Sequence, residues 1–389
     1  MRIAQIAPLA ESVPPKLYGG TERVVSWLTE ELVALGHDVT LFASGDSRTT
    51  GRLVPVIPRA IRLSKPRPDP FPAYAGLLDV IAESALDFDV VHCHTDWLLQ
   101  PLLSRLGVPH LTTIHNRLDT PDLPPVIARF PAAPLVSISD HHRSPLPAAN
   151  WLGTVYHGMP TNVLTPSYDP GSYLAFVGRL TREKGPEAAI RIAKAAGKPL
   201  RMAAKVPRAQ SRYYKEHLQP LVDGEHIKLV GELNDAGKGN LLKGASALLF
   251  PIDWPEPFGL VMIEAMACGT PVIAYRRGSV PEVIDEGVTG FIVDNEEDAV
   301  AAVARVSELD RRLVRATFER RFNARRMTAD YLRFYEKLVR EETREALMSV
   351  RARCCENRGD RGLSSTISGS RIMHSSPLPP AFALVYRSY

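Results

Sequence analysis

Short β-branched runs alternate with helix-patterned segments along most of this chain, and that alternation restricts its possible folds more than any figure of composition. "RIAQIA" (2–7) leads into residues 21–35, where Val24, Val25, Leu28, Leu32 and Leu35 recur at steps of three and four, and "DVTLFA" (38–43) follows Gly36. Thr21 can cap the helix start and Gly36 can end it. Strand, helix, strand is the unit of a parallel sheet.

From 48 to 72 the pattern gives way to Pro, Arg and Asp and reads as a loop. It resumes with a helix at 74–84, the strand "DVVHCH", a helix at 97–106 and the strand "HLTTIH". A proline-rich stretch, 121–134, precedes the strand "LVSIS" and a helix start at Asp140. Turn residues crowd 156–172, and a second alternation begins behind them. Its strands are "YLAFVG", "LRMAAKV", "IKLVG", "ALLFP", "PVIAY" and "GFIVD"; its helices fall at 186–196, 238–245, 258–268, 280–286 and 296–309. The expected class is therefore α/β, with two doubly wound parallel-sheet halves and ligands bound in the cleft between them at the carboxyl ends of the strands. At 389 residues, two domains are the natural division.

Composition narrows the function. The chain is 45% hydrophobic and 23% charged, as a globular protein is. A net charge of +4 without dense Lys/Arg blocks suits an anionic small molecule or a lipid headgroup and argues against nucleic acid as a partner. The four cysteines lack metal-ligand spacing, which fits a reducing cytoplasm. The N-terminal apolar segment is too short for a signal peptide, and no apolar run is long enough to span a membrane. The basic run "RRLVRATFERRFNARRM" (311–327) reads as a solvated helix face, with peripheral contact to anionic lipid as its alternative.

The chemistry concentrates in "EPFGLVMIEAMACGTPVIAY" (256–275). A strand ends near Pro251, a loop follows, and a helix begins near Phe258. The first-turn N–H groups at Phe258, Gly259 and Leu260 offer an anion site, and Gly259 admits a ligand close to the backbone. Glu256 precedes the helix and Glu264 lies inside it, so both can accept hydrogen bonds from the vicinal hydroxyls of one ligand. The alternative is that Glu256 merely caps the helix while Glu264 pairs with a surface arginine. Against it, Glu264 is surrounded by Val261, Met262, Ile263, Ala265, Met266 and Ala267, and a buried carboxylate without a partner is costly. "YGGTER" (18–23) places Gly19 and Gly20 before a helix, but its spacing is neither G-x-G-x-x-G nor a P-loop. His92 and His94 lie in "VVHCHTDW", and His115 ends "LTTIH"; no carboxylate or cysteine completes a metal shell around them, so no metal is expected. "DFD" (87–89) has the letters of a cation-binding Asp-x-Asp motif but reads as a strand start.

"EPFGLVMIEAMACGTPVIA" resembles the signature of the retaining glycosyltransferases of family four, which have the GT-B fold of two Rossmann-like domains facing across a cleft. "VGRLTREKG" (177–185) is similar to that family's Arg and Lys segment, and the glycines of "YGGTER" to its glycine-rich loop. The likeness runs from Met1 to about Arg340. It implies domains at 1–160 and 161–325, a helix at 326–342 crossing back onto the first domain, and a tail from 343 that reads as disordered. By the same resemblance Glu256 contacts the donor sugar's hydroxyls, Glu264 the ribose, and the N–H groups at Phe258, Gly259 and Leu260 the sugar and diphosphate. Arg179 and Lys184 grip the leaving diphosphate in place of a metal ion, Gly19 and Gly20 face it across the cleft, and His115 touches the transferred sugar. His94 and Asp96, one strand earlier, are placed on the acceptor side. Base recognition falls near Lys205, Val230 and Glu232.

The expectation is thus a cytoplasmic, metal-independent retaining hexosyltransferase that needs no cofactor, with a nucleoside diphosphate sugar as donor and an unspecified hydroxyl acceptor. A nucleotide-sugar epimerase of the same architecture and a non-catalytic nucleotide-sugar-binding subunit are the rival readings. A nicotinamide dehydrogenase is the weakest, for lack of the glycine spacing.

Overall fold

The computed structural model describes residues 1–62, 64–206 and 210–359. Met1–Glu341 make one compact unit and Glu342–Tyr389 a second.

The first unit contains two sheets, each wholly parallel. One has strands β1 (Arg2–Ile6), β2 (Asp38–Ser44), β3 (Arg52–Ile57), β4 (Val90–Cys93), β5 (His110–Thr113), β6 (Leu135–Ser137) and β7 (Trp151–Thr154) in the order β3-β2-β1-β4-β5-β6-β7. Its connecting helices are α1 (Gly20–Ala34), α2 (Pro70–Ser84), α3 (Gln100–Leu106), α4 (Leu123–Arg129) and α5 (Asp140–Arg143). The other has β8 (Tyr173–Arg179), β9 (Leu200–Lys205), β10 (Ile227–Gly231), β11 (Ala245–Phe250), β12 (Val272–Tyr275) and β13 (Gly290–Val293) in the order β10-β9-β8-β11-β12-β13. Helices α6 (Pro186–Ala195), α7 (Ser211–Tyr213), α8 (Asp235–Lys243), α9 (Leu260–Ala267), α10 (Val280–Val283) and α11 (Glu296–Arg305) connect or flank those strands. In each sheet the strand order reverses beside the first strand, at β1/β4 and at β8/β11. Such a reversal opens a crevice beyond the carboxyl ends of the strands.

Three elements fall where the sequence reading placed neither strand nor helix. β3 lies within the segment 48–72 and contains Pro55; it is the sheet's outermost strand, where a residue lacking an N–H is tolerated. β7 is the opposite edge, four half-buried residues interrupted by Gly153. α4 sits in the proline-rich stretch, with Pro124 and Pro125 in its first turn, where missing N–H groups cost nothing.

Two helices, α12 (Arg311–Arg321) and α13 (Ala324–Gly359), end the described chain. The disordered tail expected from 343 is therefore helical as far as Gly359, because "EETREALMSVRARCC" is rich in helix formers. Residues 360–389 of that tail lie outside the described residues. The arginine-rich run is also not a uniform solvated face. Arg311 donates to the carbonyls of Ser167 (2.9 Å), Ala245 (2.8 Å) and Lys243 (3.1 Å) and to Thr270 Oγ1 (2.9 Å). Arg315 donates to the carbonyls of Leu164, Ala267 and Thr161. Both are buried; Arg312, Arg320 and Arg325 are the exposed ones. Among the described residues no helix is long and apolar enough to cross a membrane.

Removing the Arg311 guanidinium takes its donors from three carbonyls, one in a buried bond and two in partly buried ones, and from the buried Thr270 hydroxyl. We expect Arg311→Ala to lower the free energy of unfolding by about 3 kcal/mol, read as a reduced urea midpoint at unchanged m-value.

Candidate functional site

The loops leaving β8 and β11 converge on the cleft. β8 ends at Arg179, and a turn, Arg182–Lys184, brings Lys184 around to the loop that follows β11. The Asp253 N–H donates to the Glu183 carbonyl at 2.9 Å, tying the two loops together. Lys184 forms an ion pair with Glu256, whose Oε2 also accepts from the Trp254 indole N–H at 2.7 Å. The Lys184 ammonium lies 4.6 Å from the Trp254 ring centroid. The Glu256 loop is clamped from behind: Ser279 N–H donates to the Glu256 carbonyl (3.0 Å) and Ser279 Oγ to that of Phe258 (2.9 Å). At Gly278, with φ of 56°, a Cβ would meet Glu256 backbone atoms at 2.3 Å, so the turn and the loop pack backbone to backbone.

Helix α9 starts at Leu260, two residues later than the sequence indicates. Gly259 is its N-cap, with φ of 78°, a left-handed conformation that glycine adopts without strain. No side chain caps this end, and Gly259 and Leu260 line the cleft beside it. Phe258 contributes backbone only, since its ring is buried 4.8 Å from that of His157. Glu264, 5% exposed, pairs with Lys238 of α8, not with a surface arginine. Lys238 also lies 3.6 Å from Asp235, and both Asp235 oxygens accept from Arg23 of α1 at 2.5 and 2.6 Å. An unbroken line of alternating charge thus crosses from the second sheet's helices to the first sheet's.

The cleft has two adjoining parts. Tyr18, Gly19, Gly20, Arg179, Lys184 and Glu256 line both. The first part continues past Glu264 and Lys238 to Lys205 and Glu232, which lie 3.8 Å apart; Val230 lines neither part. The second holds His115, Asn116, His157 and Trp254, together with Glu11, Glu22 and Arg62 of the first sheet's side. Arg62 is paired with the buried Glu11. Arg179 is poorly matched: its nearest carboxylate, Glu183, is 3.8 Å away, and its buried Nε has no hydrogen-bond partner. A guanidinium that lines a cleft and has a carboxylate only at 3.8 Å is suited to take an anion.

Two expected acceptor-side residues do not line the cleft. His94 is 1% exposed and sits behind His115, its Nδ1 2.9 Å from His115 Nε2. Asp96, with φ of 49°, turns its carboxylate onto the chain after β5, accepting from the His115 N–H (3.3 Å) and Asn116 Nδ2 (2.5 Å). Both residues support the His115 segment from beneath. Sequence reading missed Lys238, Trp254 and His157, whose side chains reach the site only through the fold. Among the described residues no group of three or more His, Cys, Asp or Glu is placed to hold a metal ion.

The family model "Glycosyltransferase Family 4" matches residues 18–183, and "Glycosyl transferases group 1" matches residues 165–320. A phosphatidyl-myo-inositol mannosyltransferase of Mycobacterium leprae is 34% identical over 122 residues, 30% of this chain and 33% of that protein. A D-inositol 3-phosphate glycosyltransferase of Corynebacterium kroppenstedtii is 24% identical over 75% of this chain and 78% of its own. The structure of Anabaena HepE in complex with UDP and glucose superposes with a TM-score of 0.68 at 19% identity, covering 87% of this chain and all of HepE. Two parallel sheets facing a charged cleft, with these matches across both, define a glycosyltransferase of the GT-B type. The chain belongs to the family 4 glycosyltransferases.

Burial pushes His92, His94 and His157 well below the ordinary histidine range and His142 down to about 4. The unfolded chain takes up protons at these residues near pH 6.5, whereas the folded chain does so only at lower pH. Between those limits the unfolded state binds more protons, so stability falls as pH drops below about 6.5, by up to about 1.4 kcal/mol per pH unit per histidine. We expect a melting temperature several degrees lower at pH 5 than at pH 7; equal values would mean that these histidines protonate within the fold.

Proposed function

We propose that this glycosyltransferase moves a hexose from a nucleoside diphosphate sugar to an acceptor hydroxyl with retention of configuration and without a metal ion. One observation carries the reading: the weakly matched Arg179, Lys184 and the uncapped start of α9 all line one part of the cleft together with Glu256 and Glu264. Positive charge fixed in advance where negative charge develops is the largest electrostatic contribution an enzyme can make to a departing group.

In this reading the diphosphate lies between Arg179, Lys184 and the N–H groups after Gly259. Its ribose reaches Glu264, and its base lies toward Lys205 and Glu232. Glu256 accepts from hydroxyls of the sugar, and His115 touches the sugar from the other side. The acceptor enters through the part lined by Glu11, Glu22 and Asn116, whose carboxylates and amide suit a polyhydroxylated compound. The bond from the anomeric carbon to the phosphate oxygen breaks and the bond to the acceptor oxygen forms on the same face. The acceptor's proton passes to the departing phosphate, so no protein nucleophile is required. HepE, crystallised with UDP and glucose, supports a donor of this class.

Arg179→Ala and Lys184→Ala should each lower kcat by about a hundredfold to a thousandfold in a folded protein. EDTA should leave wild-type turnover unchanged. UDP, GDP, ADP and dTDP should be compared by thermal shift: a nucleotide at a hundred times its Kd adds about 2.7 kcal/mol, and Glu264→Ala should lose much of it. A folded Arg179/Lys184 double variant with normal turnover would sink the assignment.

A further inference from the structure

Behind His115 lies a fully buried polar chain that the reaction scheme does not use. Gln5 on β1, His92 on β4, His94 just after it, Thr113 on β5 and Tyr331 and Tyr335 on α13 are each at most 1% exposed. Gln5 Nε2 donates to Tyr335 Oη at 3.0 Å, and Gln5 Oε1 lies 2.9 Å from His94 Nε2. His94 Nδ1 lies 2.9 Å from His115 Nε2. A second branch leaves the same tyrosine: Tyr335 Oη to His92 Nδ1 (2.7 Å), His92 Nε2 to Thr113 Oγ1 (2.8 Å), and Thr113 Oγ1 to Tyr331 Oη (2.9 Å).

The directions of these bonds are linked. A carboxamide oxygen only accepts, so His94 must donate to Gln5 from Nε2. Burial keeps His94 and His115 neutral, His115 being pushed down to about 3. His94 Nδ1 then carries a lone pair and takes the proton of His115 Nε2. Nδ1 of His115 remains bare, and among the described residues no side chain bonds to it. The geometry points to Tyr335 as a positioning residue: acting through Gln5 and His94, it fixes His115 in the Nε2–H tautomer, with Nδ1 as a hydrogen-bond acceptor for a hydroxyl of the bound sugar. This inference rests on the donor-site reading above only for the identity of the hydroxyl.

The test is nitrogen-resolved NMR of the histidine rings in the full-length protein, with His115 assigned from His115→Gln, beside steady-state kinetics. Wild type should show His115 protonated at Nε2 and bare at Nδ1. Tyr335→Phe removes the acceptor that orients the Gln5 amide. It should move both His115 nitrogens toward tautomer averaging and lower kcat roughly fivefold, the value of one neutral hydrogen bond, with KM for the donor little changed. Tyr331→Phe, on the same helix but in the other branch, should change neither. An Nδ1–H tautomer in wild type, unmoved nitrogens in Tyr335→Phe, or equal effects from the two tyrosines would each overturn the proposal. Failure of UDP, GDP, ADP and dTDP alike to stabilise wild type would instead strike the donor-site reading, while the ring spectra would still decide the tautomer.

Discussion

The ion pair between Lys184 and Glu256 is the contact on which the cleft depends. It joins the loop after β8 to the loop after β11, and both partners are largely withdrawn from water. A buried pair recovers its desolvation cost only when its remaining atoms are also bonded. Here the Trp254 indole donates to the carboxylate, and its ring lies beside the ammonium. The Lys238–Glu264 pair repeats the arrangement deeper in the cleft. Glu256 and Glu264 are thus each held in place by a lysine, which leaves Arg179 and the start of α9 as the positive groups poorly matched by the protein.

The same charges bind the two sheets to each other. Glu264, Lys238, Asp235 and Arg23 form one line from α9 through α8 to α1. Nearby, the Tyr18 N–H donates to Glu232 at 3.2 Å, and Ser139 Oγ to the Pro257 carbonyl at 2.7 Å. Glu282 of α10 accepts from the Asp140 and His141 N–H groups at the start of α5, at 2.7 Å each. The walls of the cleft are therefore set by polar contacts across it, several of them on residues that line it, so whatever occupies the cleft bears on the contacts that shape it.

Much of this was legible in the sequence, for a definite reason. Glu256 and Glu264 stand out because a carboxylate in an apolar run violates the expected pattern, and Gly259 because a glycine at a helix start permits a left-handed turn. The strand-helix alternation placed eleven of the thirteen strands; the two it missed, β3 and β7, are edge strands, where Pro55 and Gly153 disguise the pattern. What stayed hidden were partners. Lys184 meets Glu256 across 72 residues, Lys238 meets Glu264 across 26, and Gln5 meets Tyr335 across 330. No local period encodes such pairs. His94 was misplaced for the same reason, since strand position gives a side chain's neighbourhood but not whether another ring stands between it and the cleft.

The distribution of charge along the cleft follows from how each part is supported. Where the two parts meet, Arg179 at the end of β8 and Lys184 in the turn after it supply positive side chains, and the uncapped helix adds its dipole. In and behind the second part, His115, His157 and His94 gather, and among the described residues no carboxylate bonds to their rings; His115 and His157 stack at 5.3 Å and His94 and His115 lie at 5.2 Å. Charging one would set it against its neighbours, so burial and mutual repulsion both hold His94 and His157 neutral. The histidines therefore add no charge of their own to the second part, where the charged groups are Glu11, Glu22 and Arg62 together with the Arg179, Lys184 and Glu256 shared with the first.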